Sequence, residues 1–326
     1  GGMIIGTLIV MTYTVFGGMW SVALTDFFQM IIIVVGLFTI AYFATDLAGG
    51  VDAVVHQASS RDLFSLLPPA TPHDILFFIA ALLTMMLGSI PQQDVYQRVM
   101  SSKDVATARR GPVIGGLLYL AFAFIPMYIA VAAFGIMPEK VGELMQEDPQ
   151  KILPTIILEH MPVAAQVFFF GALLSAIMST ASATLLAPST TFAENILRHV
   201  RPGMSDKAFL RAMRWSVVVF GLCVLTFALV TSDSIYEMVA GAYTVTLVGA
   251  FVPLLMGLYW RRATTQGAVL SSVLGVVAWL LVRAFAPEVF PPQLAGLLAG
   301  FAGMWLGSLL PQVVRARERP ALHPIL

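Results

Sequence analysis

The sequence predicts an all-α, polytopic membrane protein, and three observations carry that expectation. Of 326 residues, 58% are hydrophobic and only 11% charged, whereas soluble domains carry roughly a quarter charged residues. The mean hydropathy is +0.86. Apolar runs recur at about the ~20 residues that cross a hydrocarbon core, without period-2 alternation, so helices rather than barrel strands account for them. The formal net charge is +0, so no global field points to nucleic acid, and the partner that composition implies is a lipid bilayer. Cys223 is the one cysteine and excludes an internal disulfide. His56, His73, His160, His199 and His323 fall in loops or tails without ligand spacing, so neither a metal site nor a cofactor is expected.

Polar and proline-rich interruptions divide the chain into one short apolar stretch, 3–16, and eight full ones at about 26–45, 74–98, 112–136, 162–197, 209–231, 235–260, 264–285 and 292–311. The chain opens without an initiator methionine or a signal peptide pattern and reads as the C-terminal part of a longer protein. With the 46–73 loop outside, fourteen of the eighteen Lys and Arg fall on inner segments, including Arg98, Arg109, Arg110, Arg214 and the tail residues Arg315, Arg317 and Arg319. Arg61, Lys140, Lys151 and Arg283 remain outside, with Glu139, Glu143, Glu147, Asp148 and Glu159 in one outer loop. By the positive-inside rule the C-terminus is cytoplasmic, and the expected localisation is the plasma (inner) membrane. The long outer connections, 46–73 and 137–161, hold amphipathic pieces at Val141–Met145 and Ile152–His160, which read as interfacial helices or lids. No separate soluble domain is expected.

Polar interruptions inside a span are where function concentrates, because unsatisfied polar groups are costly in hydrocarbon. In the third span Gly88 and Pro91 precede Gln92, Gln93 and Asp94. Pro91 lacks a donor and clashes with the carbonyl of Leu87, so a break is expected there, serving either packing or exposure of helix ends to a solute. The fifth span places Ser175, Ser179, Thr180, Ser182 and Thr184 in ten residues, with Ser175, Ser179 and Ser182 on one face. Hydroxyls bonded back to carbonyls at a close helix contact are one reading. A sodium site is the other: a hard cation takes oxygen ligands, and the Ser179 and Thr180 hydroxyls with the Ala176 carbonyl supply three. Asp26, at the start of the second span, suits either cation handling or capping of a helix N-terminus. Gly241, Gly249 and Pro253 flank Tyr243, Thr244 and Thr246, which line a cavity or a packing face.

Thr14–Met19 running into Thr25-Asp26-Phe27-Phe28-Gln29, then Gln93–Arg98, Ala176–Ser182, and Pro253–Arg262 with Gly267-Ala268, resemble the sodium/solute symporter family. The resemblance implies a leucine-transporter-like inverted-repeat fold of five plus five core helices. It places 1–45 at the end of the first repeat, 74–260 as the second repeat, 264–311 as peripheral helices and 312–326 as a cytoplasmic tail. It implies sodium held by Ala176, Ser179 and Thr180, with Asp26 in sodium coupling and exit, and its other ligands outside this chain. The solute cavity it implies includes Met85, Gly88, Gln92, Gln93 and Tyr243. Gly88–Ser102 resembles the choline-carrier branch, with Gln92 where that branch has a tryptophan suited to quaternary ammonium.

The expected function is therefore sodium-coupled symport of a small organic solute by alternating access, with sodium as coupling ion. An alternative is a symporter-like membrane sensory module of a signalling protein, which the parent reading frame distinguishes. Enzymatic activity is not expected: the spans hold no paired catalytic carboxylates, His-Glu-x-x-His or Gly-x-Ser-x-Gly. No stretch resembles a channel selectivity filter.

Overall fold

A computed structural model describes residues 2–65, 67–231 and 234–313. The tail arginines Arg315, Arg317 and Arg319, and His323, lie outside the described residues. The chain folds into helices α1 (Gly2–Leu47), α2 (Val51–Ser60), α3 (Pro72–Gly88), α4 (Gln93–Met100), α5 (Val105–Ile136), α6 (Pro138–Glu147), α7 (Ile152–His160) and α8 (Val163–Phe192). A π-turn over Ala193–Leu197 leads to α9 (Arg198–Val200), followed by α10 (Asp206–Val230) and α11 (Ile235–Thr246). A second π-turn, Leu247–Phe251, precedes α12 (Val252–Tyr259), α13 (Thr265–Phe285) and α14 (Pro292–Leu309). No strand occurs among the described residues. Among them, 7 helices are long and apolar enough to cross a membrane, and the chain is a multi-pass membrane protein. The expected stretch 292–311 forms α14, which falls outside that group because Pro292, Gln293 and its glycines dilute its apolar content. Two compact units emerge, Gly1–Leu66 with Gln97–Ser232, and Leu67–Tyr96 with Asp233–Leu326.

In the first unit α1 corrects two expectations. The stretches 3–16 and 26–45 are joined by helix rather than by a polar loop, and the direction changes at Gly18, whose φ of 55° and ψ of −151° are non-helical. In residues 21–26 the side chains of Thr25 and Asp26 find partners without the helix ending. Thr25 Oγ1 donates to the Ser21 carbonyl at 2.9 Å, and the Asp26 carboxylate has side-chain partners. Asp26 therefore lies two turns inside a helix and is not its cap. Gly18 occupies a backbone region that side chains strongly disfavour. Gly18→Ala is expected to cost about 1–3 kcal/mol, measured as a lower thermal midpoint; an unchanged midpoint would show that the break does not need its positive φ.

Beyond the break α1 packs on α8 and α5. At Gly36 an added Cβ would lie 2.7 Å from Ala172 Cβ and 3.0 Å from the Phe168 carbonyl oxygen, so the helices touch through backbone. Ile40, Ala44, Ile129, Ala133, Ala165 and Phe169 form the core of this end. Val141, Ile152, Ile156 and Ile157 join that core fully or almost fully buried. The pieces read as interfacial helices or lids thus close the bundle end, their apolar faces covered by α5 and α8. Lys140 pairs with Glu159 across α6 and α7. At the other end Asp104 caps α5 by accepting from Thr107 N–H at 2.7 Å, which lowers its carboxyl pKa.

In the second unit Thr71 caps α3, accepting from Asp74 N–H at 3.1 Å. α3 stops at Gly88, and the turn containing Pro91 separates it from α4, as the missing proline donor requires. Ser234 and Glu237 form a capping box at the start of α11. The π-turn after α11 releases a carbonyl at Gly249, which accepts from Ser272 Oγ at 2.6 Å. α13 and α14 pack through small residues: an added Cβ on Gly275 would lie 3.2 Å from the Gly296 carbonyl oxygen, and one on Gly303 would lie 2.8 Å from the Leu270 oxygen. Leu247, Phe251, Val252, Leu297 and Met304 fill the core.

Candidate functional site

The first cluster forms where α1 crosses α8. Ser179 lies in the middle of α8, and its Oγ donates to Asp26 Oδ1 at 2.6 Å. Arg98, on α4, donates through Nη2 to Asp26 Oδ2 at 2.8 Å. The carboxylate is thus shared by a hydroxyl and a guanidinium, with side-chain exposures of 20% for Asp26 and 39% for Arg98. Tyr13, before the α1 break, donates its phenol to the Met178 carbonyl at 2.9 Å, so both arms of α1 are tied to one turn of α8. Ser182 Oγ donates to the Ser179 carbonyl at 3.0 Å, which leaves the Ser179 hydroxyl oxygen, not its carbonyl, as the open acceptor.

Ser179, expected among the sodium ligands, and Asp26, expected in coupling and exit, are brought together across 153 positions of sequence. Ala176 and Thr180 lie on the same α8 turn, Ala176 half-buried and Thr180 exposed. A charge-assisted bond from Ser179 to a carboxylate polarises its oxygen, which strengthens that oxygen as a ligand for a hard cation. Arg98 occupies the other carboxylate oxygen and sets a fixed positive charge beside the α8 hydroxyls. Arg98 closes the Gln93–Arg98 motif, but nothing in the sequence links it to Asp26, and Tyr13 gives no signal at all.

The second cluster is in the other unit, at the end of α3. Thr246 Oγ1 donates to the Gly88 carbonyl at 2.6 Å, and Gln92 Nε2 donates to Thr246 Oγ1 at 3.2 Å. An added Cβ on Gly88 would lie 2.3 Å from the Tyr243 carbonyl oxygen. Gly88, Gln92 and Tyr243 therefore meet, with Thr246 as the link between them. Met85 is half-buried on α3, and Gln93 is exposed on the first turn of α4. Thr246 was visible only as one of several polar residues flanked by glycines. The break at Gly88 is what frees its carbonyl for a side-chain partner.

Residues 1–275 match the sodium:solute symporter family. The chain belongs to that family. Among relatives, high affinity choline transporter 1 of Homo sapiens is 30% identical over 284 residues, covering 84% of this chain and 48% of the human protein. A sodium/proline symporter of Staphylococcus aureus is 29% identical over 309 residues, covering 89% of this chain and 58% of that protein. The chain thus spans about half the length of the curated relatives it matches first. A solved structure of a Na+-coupled sialic acid symporter, in a substrate-bound outward-open state, superposes with a TM-score of 0.79 at 18% identity over 97% of this chain and 68% of that one. The all-α, leucine-transporter-like fold expected of a sodium:solute symporter is the one observed.

Proposed function

We propose that the protein carrying this chain is a sodium-coupled symporter that imports a small organic solute across the plasma membrane, its C-terminus cytoplasmic. The observation that carries this reading is the Arg98–Asp26–Ser179 chain, a carboxylate shared between a cation and a hydroxyl at the crossing of a broken helix with the hydroxyl-rich α8. Ala176, Ser179 and Thr180 bind sodium on α8. Asp26 draws the ion from that turn, and Arg98, competing for the same carboxylate, favours its departure. Each 100 mV of membrane potential contributes about 2.3 kcal/mol per charge moved, so one sodium ion supplies a useful driving force before its gradient is counted.

The solute is read from the second cluster and from the relatives. Their names give choline, proline and sialic acid as solutes, which share polar or charged groups on a small frame. Gln92 and Thr246 offer amide and hydroxyl groups beside the Gly88 carbonyl, which suits a solute that hydrogen-bonds, with Met85, Gln93 and Tyr243 along the same path. An amino acid, a carboxylate or a polar amine fits that chemistry.

Ser179→Ala and Thr180→Ala test the ion assignment. Each removes one oxygen ligand, and a hydrogen-bonded or ligating contact to a charged group is worth about 1.5–3 kcal/mol. The expected result is a roughly tenfold or larger rise in the sodium concentration for half-maximal uptake. Unchanged sodium activation in both variants would remove α8 from the ion site. Uptake is measured in vesicles with a panel of amines, amino acids and carboxylates, with and without a sodium gradient.

A further inference from the structure

α1 carries six threonines. In Thr7, Thr12, Thr25, Thr39 and Thr45 the hydroxyl donates to the carbonyl four residues earlier, at 2.6 to 2.9 Å. That local bond is the usual way a membrane helix satisfies a hydroxyl. Thr14 departs from it: it is 1% exposed, yet its Oγ1 has no partner. Thr14 faces a cavity of about 180 Å³ beside the α1 break, bounded by Gly17 and Gly18, by Leu186 of α8 and by Arg214 of α10. Arg214 Nε is also shielded from solvent without a partner. Its guanidinium carbon stands 5.7 Å from the Phe16 ring centroid, and no ion pair to Arg214 occurs among the described residues.

The cavity therefore presents two hydrogen-bond donors and one fixed positive charge, and none of its lining side chains is acidic. A half-buried guanidinium without a counter-ion is costly, and so is an unpaired hydroxyl. One occupant relieves both, namely an anion with several acceptor oxygens. Guanidinium groups match phosphate oxygens in geometry as well as charge. Phe16, Trp20 and Trp215, all large, exposed aromatics, occupy the neighbouring positions of α1 and α10. Tryptophans of this kind sit at the headgroup level of a bilayer.

We propose that this cavity binds a phosphate oxyanion, supplied by a phospholipid headgroup, with Arg214 and Thr14 as its donors. The bound phosphate bridges α1 and α10 at the point where α1 changes direction. Asp26 follows that point by two turns, so occupancy holds the arm that carries it. This site goes beyond the transport reading and does not depend on it.

The test is the thermal midpoint of the purified, delipidated protein with added phosphatidylglycerol, with a galactolipid that has no phosphate, or with inorganic phosphate. Ligand binding to the folded state raises apparent stability by mass action. Phosphatidylglycerol is expected to raise the midpoint by several degrees and the galactolipid to leave it unchanged. In Arg214→Gln and in the near-isosteric Thr14→Val, most of that rise disappears, and native mass spectrometry shows fewer retained phospholipids. A rise with inorganic phosphate as large as with the lipid would keep the oxyanion site and make free phosphate its source. Equal stabilisation by the galactolipid, or lipid retention by both variants equal to the parent, overturns the proposal. If Arg214→Gln does not fold, Thr14→Val and the lipid comparison on the parent protein decide.

Discussion

Replacing Asp26 by asparagine is expected to weaken sodium coupling at least as much as removing a hydroxyl ligand from α8. Asparagine keeps the shape and still accepts from Ser179 Oγ, now 2.6 Å from Asp26 Oδ1, so the crossing of α1 with α8 is preserved. What disappears is the negative charge. Two unit charges about 4 Å apart interact by roughly 4 kcal/mol at an effective dielectric constant near 20. Partial exposure of the Asp26–Arg98 pair screens much of this, leaving a tenfold or greater rise in half-maximal sodium concentration as the expected result. Arg98→Gln acts in the opposite sense. It releases the second carboxylate oxygen from its 2.8 Å contact, so the ion is held more tightly and leaves more slowly. Half-maximal sodium should then fall while maximal uptake also falls. Initial uptake rates against sodium concentration separate the two variants, and identical sodium curves for Asp26→Asn and the parent would remove Asp26 from the ion's path.

Much of the fold was legible because hydrocarbon imposes a length on apolar runs and a penalty on unsatisfied polar groups. Pro91 announced the end of α3 by chemistry alone, since no neighbour can restore its missing donor. The hydroxyl run on α8 was equally visible as a departure from an apolar helix. Less legible was what partner satisfies each polar group. Asp26 next to Thr25 looks like a helix start, and only the arrival of Arg98 and Ser179 from distant segments makes it tolerable inside a helix. Gly18 shows the same limit: paired glycines suggest an end, whereas the break keeps helix on both sides. The 137–161 loop left two readings open for a related reason. An amphipathic pattern marks an apolar face without saying whether lipid or protein covers it, and here Ile129, Ala133 and Phe169 do so.

Gly88→Ala is expected to impair the solute path more than its single methyl suggests. An added Cβ would stand 2.3 Å from the Tyr243 carbonyl oxygen and 2.9 Å from its carbon. Both are backbone atoms, so no side-chain rotation relieves the clash, and α3 and α11 must separate. Overpacking of this kind costs about 1–3 kcal/mol. Separation also lengthens the 2.6 Å bond from Thr246 Oγ1 to the Gly88 carbonyl and loosens Gln92, which reaches Thr246 at 3.2 Å. Thr246→Val provides the contrast. It deletes the hydroxyl but leaves the helices in contact, and interhelical hydrogen bonds in membranes average about 0.6 kcal/mol. Half-maximal solute concentration should therefore rise about tenfold or more in Gly88→Ala, by the lower middle of the overpacking cost, but only two- to threefold in Thr246→Val. Surface abundance measured alongside uptake separates a damaged site from a lost protein. If Gly88→Ala reaches the membrane and transports with the parent's solute dependence, the close approach of Gly88 to Tyr243 is packing alone, and the solute passes elsewhere.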